Sequence, residues 1–217
     1  MRHFVRSLHL LAFAALLPFG AAWAGPAEDT GRLQQEWAQI KYGTPAAAQE
    51  QQFERLRAQA EQLAARNPGS AELLVWYAIV ESTYAGAKGG IGALKYVKNA
   101  KKSLEQALAI DARVLDGSAY TSLGSLYYQV PGWPIGFGDD KKAQEFLKKG
   151  LAANPDGIDP NYFYGDYFFR KGDYDSAERY LRKALQAPPR AGRKLADEGR
   201  RGEIAALLEQ IAAKRRQ

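Results

Sequence analysis

Apolar residues recur along most of this chain at steps of three and four. Phe53, Leu56, Ala60 and Leu63 form one such stripe, which stops at Asn67-Pro68. A period near 3.6 with a proline stop predicts an amphipathic helix over residues 46 to 66. Further stripes run through Leu74, Tyr77 and Ala78, then Ala100, Leu104 and Ala107, then Tyr120, Leu123, Gly124 and Tyr127. Others follow at Ala143, Leu147 and Gly150, and at Ala177, Leu181 and Ala184. Residues 194 to 214 predict a last helix, with Leu195, Ile204, Leu207, Leu208 and Ile211 inward, and an early helix is centred on Leu33, Trp37 and Ile40. The pattern is all-α.

The helices come in pairs with an internal period. Within residues 159 to 189, Gly165, Gly172, Ala177, Leu181, Ala184 and Pro189 follow one another at steps of 7, 5, 4, 3 and 5. Each step has a mechanical reading. Gly165 is small where one helix crosses its partner, Gly172 permits a positive backbone dihedral in the turn, and Ala177 admits close approach. Pro189 ends the second helix. Upstream, Ala143 to Pro155 spans 12 residues, as Ala177 to Pro189 does; Pro155 to Gly165 and Pro68 to Ala78 both span 10. In the first unit Ala112 stands where proline would fall.

This grammar resembles the tetratricopeptide repeat over residues 68 to 189, in three units. The resemblance implies a right-handed superhelical solenoid of antiparallel helix pairs, capped by residues 25–67 and by a basic C-terminal helix in 190–217. Caps are needed because end repeats would otherwise expose apolar surface.

Two corners are too long. The interval from small residue to alanine is 12 in the last unit (Gly165 to Ala177), 19 in the middle one (Gly124 to Ala143) and 22 in the first (Ala78 to Ala100). The inserts lie near 84–99 and 130–140, at the same kind of corner, so the solenoid places them along one edge. Pro131 to Gly138 carries Trp133, Ile135 and Phe137 among prolines and glycines, which predicts a structured loop, with Asp139 or Asp140 capping the next helix. Two roles stay open for these three side chains: cover for the core edge, or a pocket or docking surface folded over the concave groove. The glycine-rich segment Gly86 to Gly92 includes Lys88, but no strand precedes it and no Walker ending follows, so nucleotide binding is disfavoured.

The groove itself is read from the helix faces. Tyr164 and Phe168 flank Gly165 at core spacing, whereas Tyr162, Asp166 and Phe169 fall on the other face, which in the repeat family lines the concave side. Their equivalents are Thr121, Ser125 and Tyr128, then Val75, Ile79 and Ser82. This lining mixes aromatic, apolar and hydroxyl groups with Asp166 as its one charge. It suits a peptide or a small, partly apolar ligand better than nucleic acid, which calls for Lys and Arg.

The N-terminus sets the location. Arg2 and Arg6 precede an apolar run from Leu8 to Leu17 and then Ala22-Trp23-Ala24, the form of a secretory signal peptide cleaved after Ala24. The expected mature protein is soluble and not embedded in a membrane, with the periplasm preferred over full secretion. There is no cysteine for acylation or disulfides. His3, His9 and Met1 all lie in the signal peptide, so the mature chain lacks the usual general base, thiol nucleophile and soft metal ligands. No carboxylate pair calls for catalysis, no metal or cofactor is implied, and an enzyme is not expected. Net charge falls from +6 to +4 without Arg2 and Arg6, and residues 190 to 217, with eight Lys or Arg against four Asp or Glu, hold that surplus. A solvated capping face is the plainer reading of that helix.

The run from Val130 through Gly138-Asp-Asp-Lys-Lys-Ala143 to Leu147, in an exported helical-repeat chain, resembles the T component of tripartite ATP-independent periplasmic transporters. The resemblance implies an accessory to a solute-binding subunit. Two functions follow: a protein-docking module using the concave face and inserts, or a carrier of a small apolar ligand in a pocket closed by the inserts. An oligomer is compatible with either.

Overall fold

A computed structural model describes residues 25–216. The expected signal peptide, 1–24, lies outside them. The described residues form nine α-helices: α1 (Pro26–Gly43), α2 (Ala46–Arg66), α3 (Ala71–Lys88), α4 (Leu94–Ile110), α5 (Val114–Gln129), α6 (Asp140–Ala153), α7 (Ile158–Arg170), α8 (Tyr174–Leu185) and α9 (Lys194–Lys214). Three antiparallel hairpins, α3–α4, α5–α6 and α7–α8, stack as a solenoid of the expected kind. Successive first helices α3, α5, α7 and α9 touch in an inner row, and α4, α6 and α8 each bridge back to the next first helix from outside.

The small residues do the work their spacing implied. A Cβ on Gly165 would lie 2.8 Å from Leu181 Cγ, and one on Gly124 would lie 2.6 Å from Leu147 Cγ. Equivalent glycines therefore meet equivalent leucines, which fixes the crossing of each hairpin by van der Waals contact. Gly172 has φ +77°, as the tight α7–α8 turn requires. Ser70, Asp139 and Asp173 cap α3, α6 and α8 by accepting from backbone N–H groups in the first turn.

In four places the structure departs from the sequence reading or adds to it. The first insert is mostly helix: α3 runs on to Lys88, and only Gly89 to Ala93, with left-handed Gly89 and Gly90 and a short 3-10 turn, separates it from α4. Tyr84 is thereby buried against Tyr96, with ring centroids 4.7 Å apart. Second, Leu195 is not inward; it is 37% exposed, and Ala196, Asp197, Arg200, Ile204 and Ile211 are the buried positions of α9. Third, α5 opens with left-handed backbone at Leu115, Asp116 and Gly117 before it becomes regular. Fourth, α1 does more than cap the first unit.

Helix α1 packs on α2 and α3 and also reaches α9. Trp37 meets Trp76 edge to face at 6.0 Å and donates its Nε1–H to Thr83 Oγ1 at 2.9 Å. From the same helix, Tyr42 donates to Glu203 and Lys41 pairs with it. The inner row is curved enough for one helix to bridge its two ends. That bridge decides the shape of the concave side.

Candidate functional site

The concave side is a cavity of about 530 Å³, bounded by α1, the inner row and the link before α9. One wall is aromatic, built from Trp37 and Tyr42 of α1, Trp76 of α3 and Tyr162 and Phe163 of α7. Another is hydroxylic, from Ser82, Thr83, Ser118, Thr121, Ser122 and Ser125. Ser82 and Thr83 each donate to the carbonyl one helical turn back, which leaves their oxygens as acceptors, and that of Thr83 already takes the Trp37 N–H.

Charge enters well beyond the expected Asp166. Arg190, Arg193 and Arg200 line the cavity from the C-terminal segment, together with Lys41, Arg170, Asp159, Asp166 and Glu203. Asp159 accepts from Arg190 at 2.7 Å and from Arg200 at 2.9 Å, and Arg190 also pairs with Asp197 at 2.6 Å. Burial alone would push the Asp159 carboxyl up, but the adjoining guanidinium groups of Arg200 and Arg190 overcome this and hold it at about 2. Arg200 lies over Tyr162, 4.1 Å from its ring centre, and burial pushes the Tyr162 hydroxyl up to about 12. The basic segment is therefore divided: Lys194, Lys214, Arg215 and Arg216 keep the expected solvated face, while Arg190, Arg193 and Arg200 line the cavity. Arg190 and Arg200 turn inward because α7 offers Asp159 at the start of the last repeat.

The second insert makes a different surface. Its backbone closes on itself: Gly136 N–H donates to Gly132 O, Gly138 N–H to Pro131 O and Asp139 N–H to Tyr127 O, all within 3.1 Å. A Cβ on Gly136 or Gly138 would overlap the backbone of residues 130 and 131, so only glycine lets the strands of the loop cross so closely. Phe137 folds inward, edge to face on Tyr127 at 5.5 Å. Trp133 and Ile135 point away, 90% and 58% exposed. On the neighbouring corner Ile91 is 84% exposed.

A sequence profile of the tetratricopeptide repeat family matches residues 158–190. The chain carries a tetratricopeptide repeat. The fold agrees: a tetratricopeptide-repeat protein of Thermus thermophilus, TTC0263, superposes with a TM-score of 0.55 at 17% identity, over 85% of this chain and 99% of that one. MamA is a further solved structure with similarity, at a TM-score of 0.45 and 20% identity, over 76% of this chain and 90% of its own. No match is found among curated proteins.

Within this repeat solenoid the expected groove residues divide. Ile79, Thr121, Ser125, Tyr162 and Asp166 line the cavity together. Tyr128 stands behind them, its hydroxyl donating to Asp166 at 2.7 Å and its ring against Tyr167. Phe169 is elsewhere, packed on Tyr174 with the α8–α9 core; Arg170, one residue further along α7, takes the concave position of that turn. Trp133, Ile135 and Phe137 do not line the cavity; the loop that carries them turns outward. Val75 is fully buried in the core. The repeat register missed Trp76, Thr83, Asp159, Phe163 and Arg170 within the repeats, and the residues of α1, the α8–α9 link and α9 outside them. For the C-terminal arginines alone, the basic surplus of 190–217 was a signal in sequence. Among the described residues no cluster of His, Cys, Asp or Glu could hold a metal ion.

Proposed function

We propose that this tetratricopeptide-repeat protein is a non-enzymatic periplasmic adaptor that docks onto a partner protein through the edge carrying its two inserts. The partner of first choice is a solute-binding subunit of a tripartite transporter. The carrying observation is Trp133, 90% exposed at the tip of a loop closed by its own backbone hydrogen bonds. Exposed tryptophan on a rigid support is the residue type that most often dominates binding energy, because little entropy is lost when it is covered. Ile135 and Ile91 extend the apolar surface along the same edge of the solenoid.

The signal-peptide pattern of residues 1–24 supports an exported protein, and no helix among the described residues is long and apolar enough to cross a membrane. The docking reading uses the insert edge and leaves the concave side free, since α1 and α9 already bridge it.

The test is binding of the purified protein to purified solute-binding subunits from the same organism, by interferometry. Wild type is expected to bind, with Trp133→Ala weakening the complex by about 2 kcal/mol or more. Equal binding by Trp133→Ala and by a Trp133→Ala, Ile135→Ser, Ile91→Ser variant rejects the insert edge as the interface. No binding to any such subunit rejects the transporter assignment.

A further inference from the structure

Every cation on the cavity wall except one has a carboxylate partner. Lys41 meets Glu203 at 3.5 Å, Arg170 meets Asp166 at 3.0 Å, Arg190 meets Asp159 and Asp197, and Arg200 meets Asp159 and, at 2.5 Å, Glu203. Arg193 has no ion pair among the described residues. Its guanidinium carbon sits 4.9 Å from the centre of the Trp76 ring, and its buried Nε has no hydrogen-bond acceptor. Five cations line the cavity against three carboxylates; Asp197, just behind, makes a fourth, and the remaining positive charge is Arg193.

Such a group is costly to keep. The buried Nε loses its hydration without gaining an acceptor, and stacking on an indole satisfies the ring face but none of the in-plane N–H groups. Burial, with Arg190 nearby, lowers the pKa of Arg193 against the weaker pull of Asp159 and Asp197, yet a guanidinium stays charged at any physiological pH. An in-plane acceptor is what the site lacks. A carboxylate meets a guanidinium fork in that plane.

We propose that the cavity binds a small organic anion, its carboxylate held by Arg193 and its planar apolar body lodged between Trp37, Trp76 and Phe163. The volume of about 530 Å³ lies in the range of small-molecule sites. Tyr42 and the hydroxyls of the opposite wall border the same space, so a ligand with a polar tail is also satisfied. Ligand and docking partner occupy different faces: the cavity lies between α1 and the inner row, whereas Trp133 points outward from the insert edge. This binding does not depend on the docking function.

The measurement is intrinsic tryptophan fluorescence of the purified protein, titrated with benzoate, cinnamate and indole-3-acetate, each against its primary amide. Trp37 and Trp76 lie in the cavity wall and report occupancy. At least one carboxylate is expected to saturate and to bind about tenfold or more tighter than its amide, as one charge-assisted contact gives. Arg193→Gln is expected to abolish that preference, and Arg193→Lys to keep part of it, since the charge remains and the planar fork is lost. The carboxylate-to-amide ratio is read on the unmutated protein, so it stands even where a variant folds poorly. No saturation by any of the three acids at millimolar concentration, equal binding of acid and amide, or an unchanged ratio in a folded Arg193→Gln protein overturns the proposal.

Discussion

Tyr42, at the end of α1, packs its ring directly on the backbone of Gly199 in α9, so closely that a single added methyl would overlap it. The contact joins the two ends of the chain. Trp37 stands behind the Tyr42 ring at 5.7 Å, so the ring has little room to retreat. Gly199→Ala gains roughly 1 kcal/mol of helix propensity but forces an overpacked contact worth about 1–3 kcal/mol. The expected net effect is a loss of about 1 kcal/mol, with α1 detaching first. Thermal unfolding and proteolysis near Thr44-Pro45 read both effects, and an unchanged protein would mean that α1 is held without α9.

Trp133 and Phe137 lie four residues apart in one loop and face opposite ways. Trp133→Ala removes no packed surface and is expected to shift stability by less than about 0.5 kcal/mol. Phe137→Ala loses the edge-to-face contact with Tyr127 and half-buried apolar area, and is expected to cost about 1–2 kcal/mol. Urea unfolding of the two variants separates them; equal losses contradict the outward orientation of Trp133.

Asp159 gives an acid limb to the stability curve. Its folded-state pKa of about 2 is below the ordinary 3.8, so its contribution is present above pH 4 or so and is lost as pH falls from there to about 2. The full shift corresponds to about 2 kcal/mol, and 29% exposure of the side chain makes that an upper value. Denaturant unfolding of Asp159→Asn at several pH values is expected to show a loss at neutral pH that shrinks toward zero near pH 2. A difference that stays constant with pH removes the ion-pair explanation.

Gly124 and Gly165 occupy the same repeat position with unequal tolerance. At Gly124 an added Cβ meets the backbone N of Leu147 at 2.9 Å as well as its side chain, whereas at Gly165 the nearest backbone atom is Ala177 O at 3.3 Å. A side chain can rotate and a backbone cannot. Gly124→Ala is therefore expected to destabilise by about 2 kcal/mol and Gly165→Ala by less, each after the roughly 1 kcal/mol gained in propensity. Calorimetric midpoints of the two variants check the order.

The repeats were legible because their signals are local. A glycine opposite a leucine at fixed spacing, a turn glycine and a terminal proline are set within thirty or so residues of chain, so Gly165, Leu181 and Pro189 announced the hairpin they build. The same register placed Ile79, Thr121, Ser125, Tyr162 and Asp166 on one wall. It misplaced Phe169 by one helical step and had no power over Trp133 and Ile135, because loop side chains follow no period.

Sequence alone thus determined the helical pairs, their order, the place of both inserts and most of the concave face of the first helices, all consequences of periodicity and of the steric needs of small residues. Tertiary structure decided what the concave side became. Whether the arginines of 190–217 meet water or Asp159 depends on how far the inner row curves, and whether Tyr42 can reach Gly199 depends on the summed crossing angles of every hairpin between them. Those angles accumulate over the whole chain, and no single stretch of residues encodes their sum.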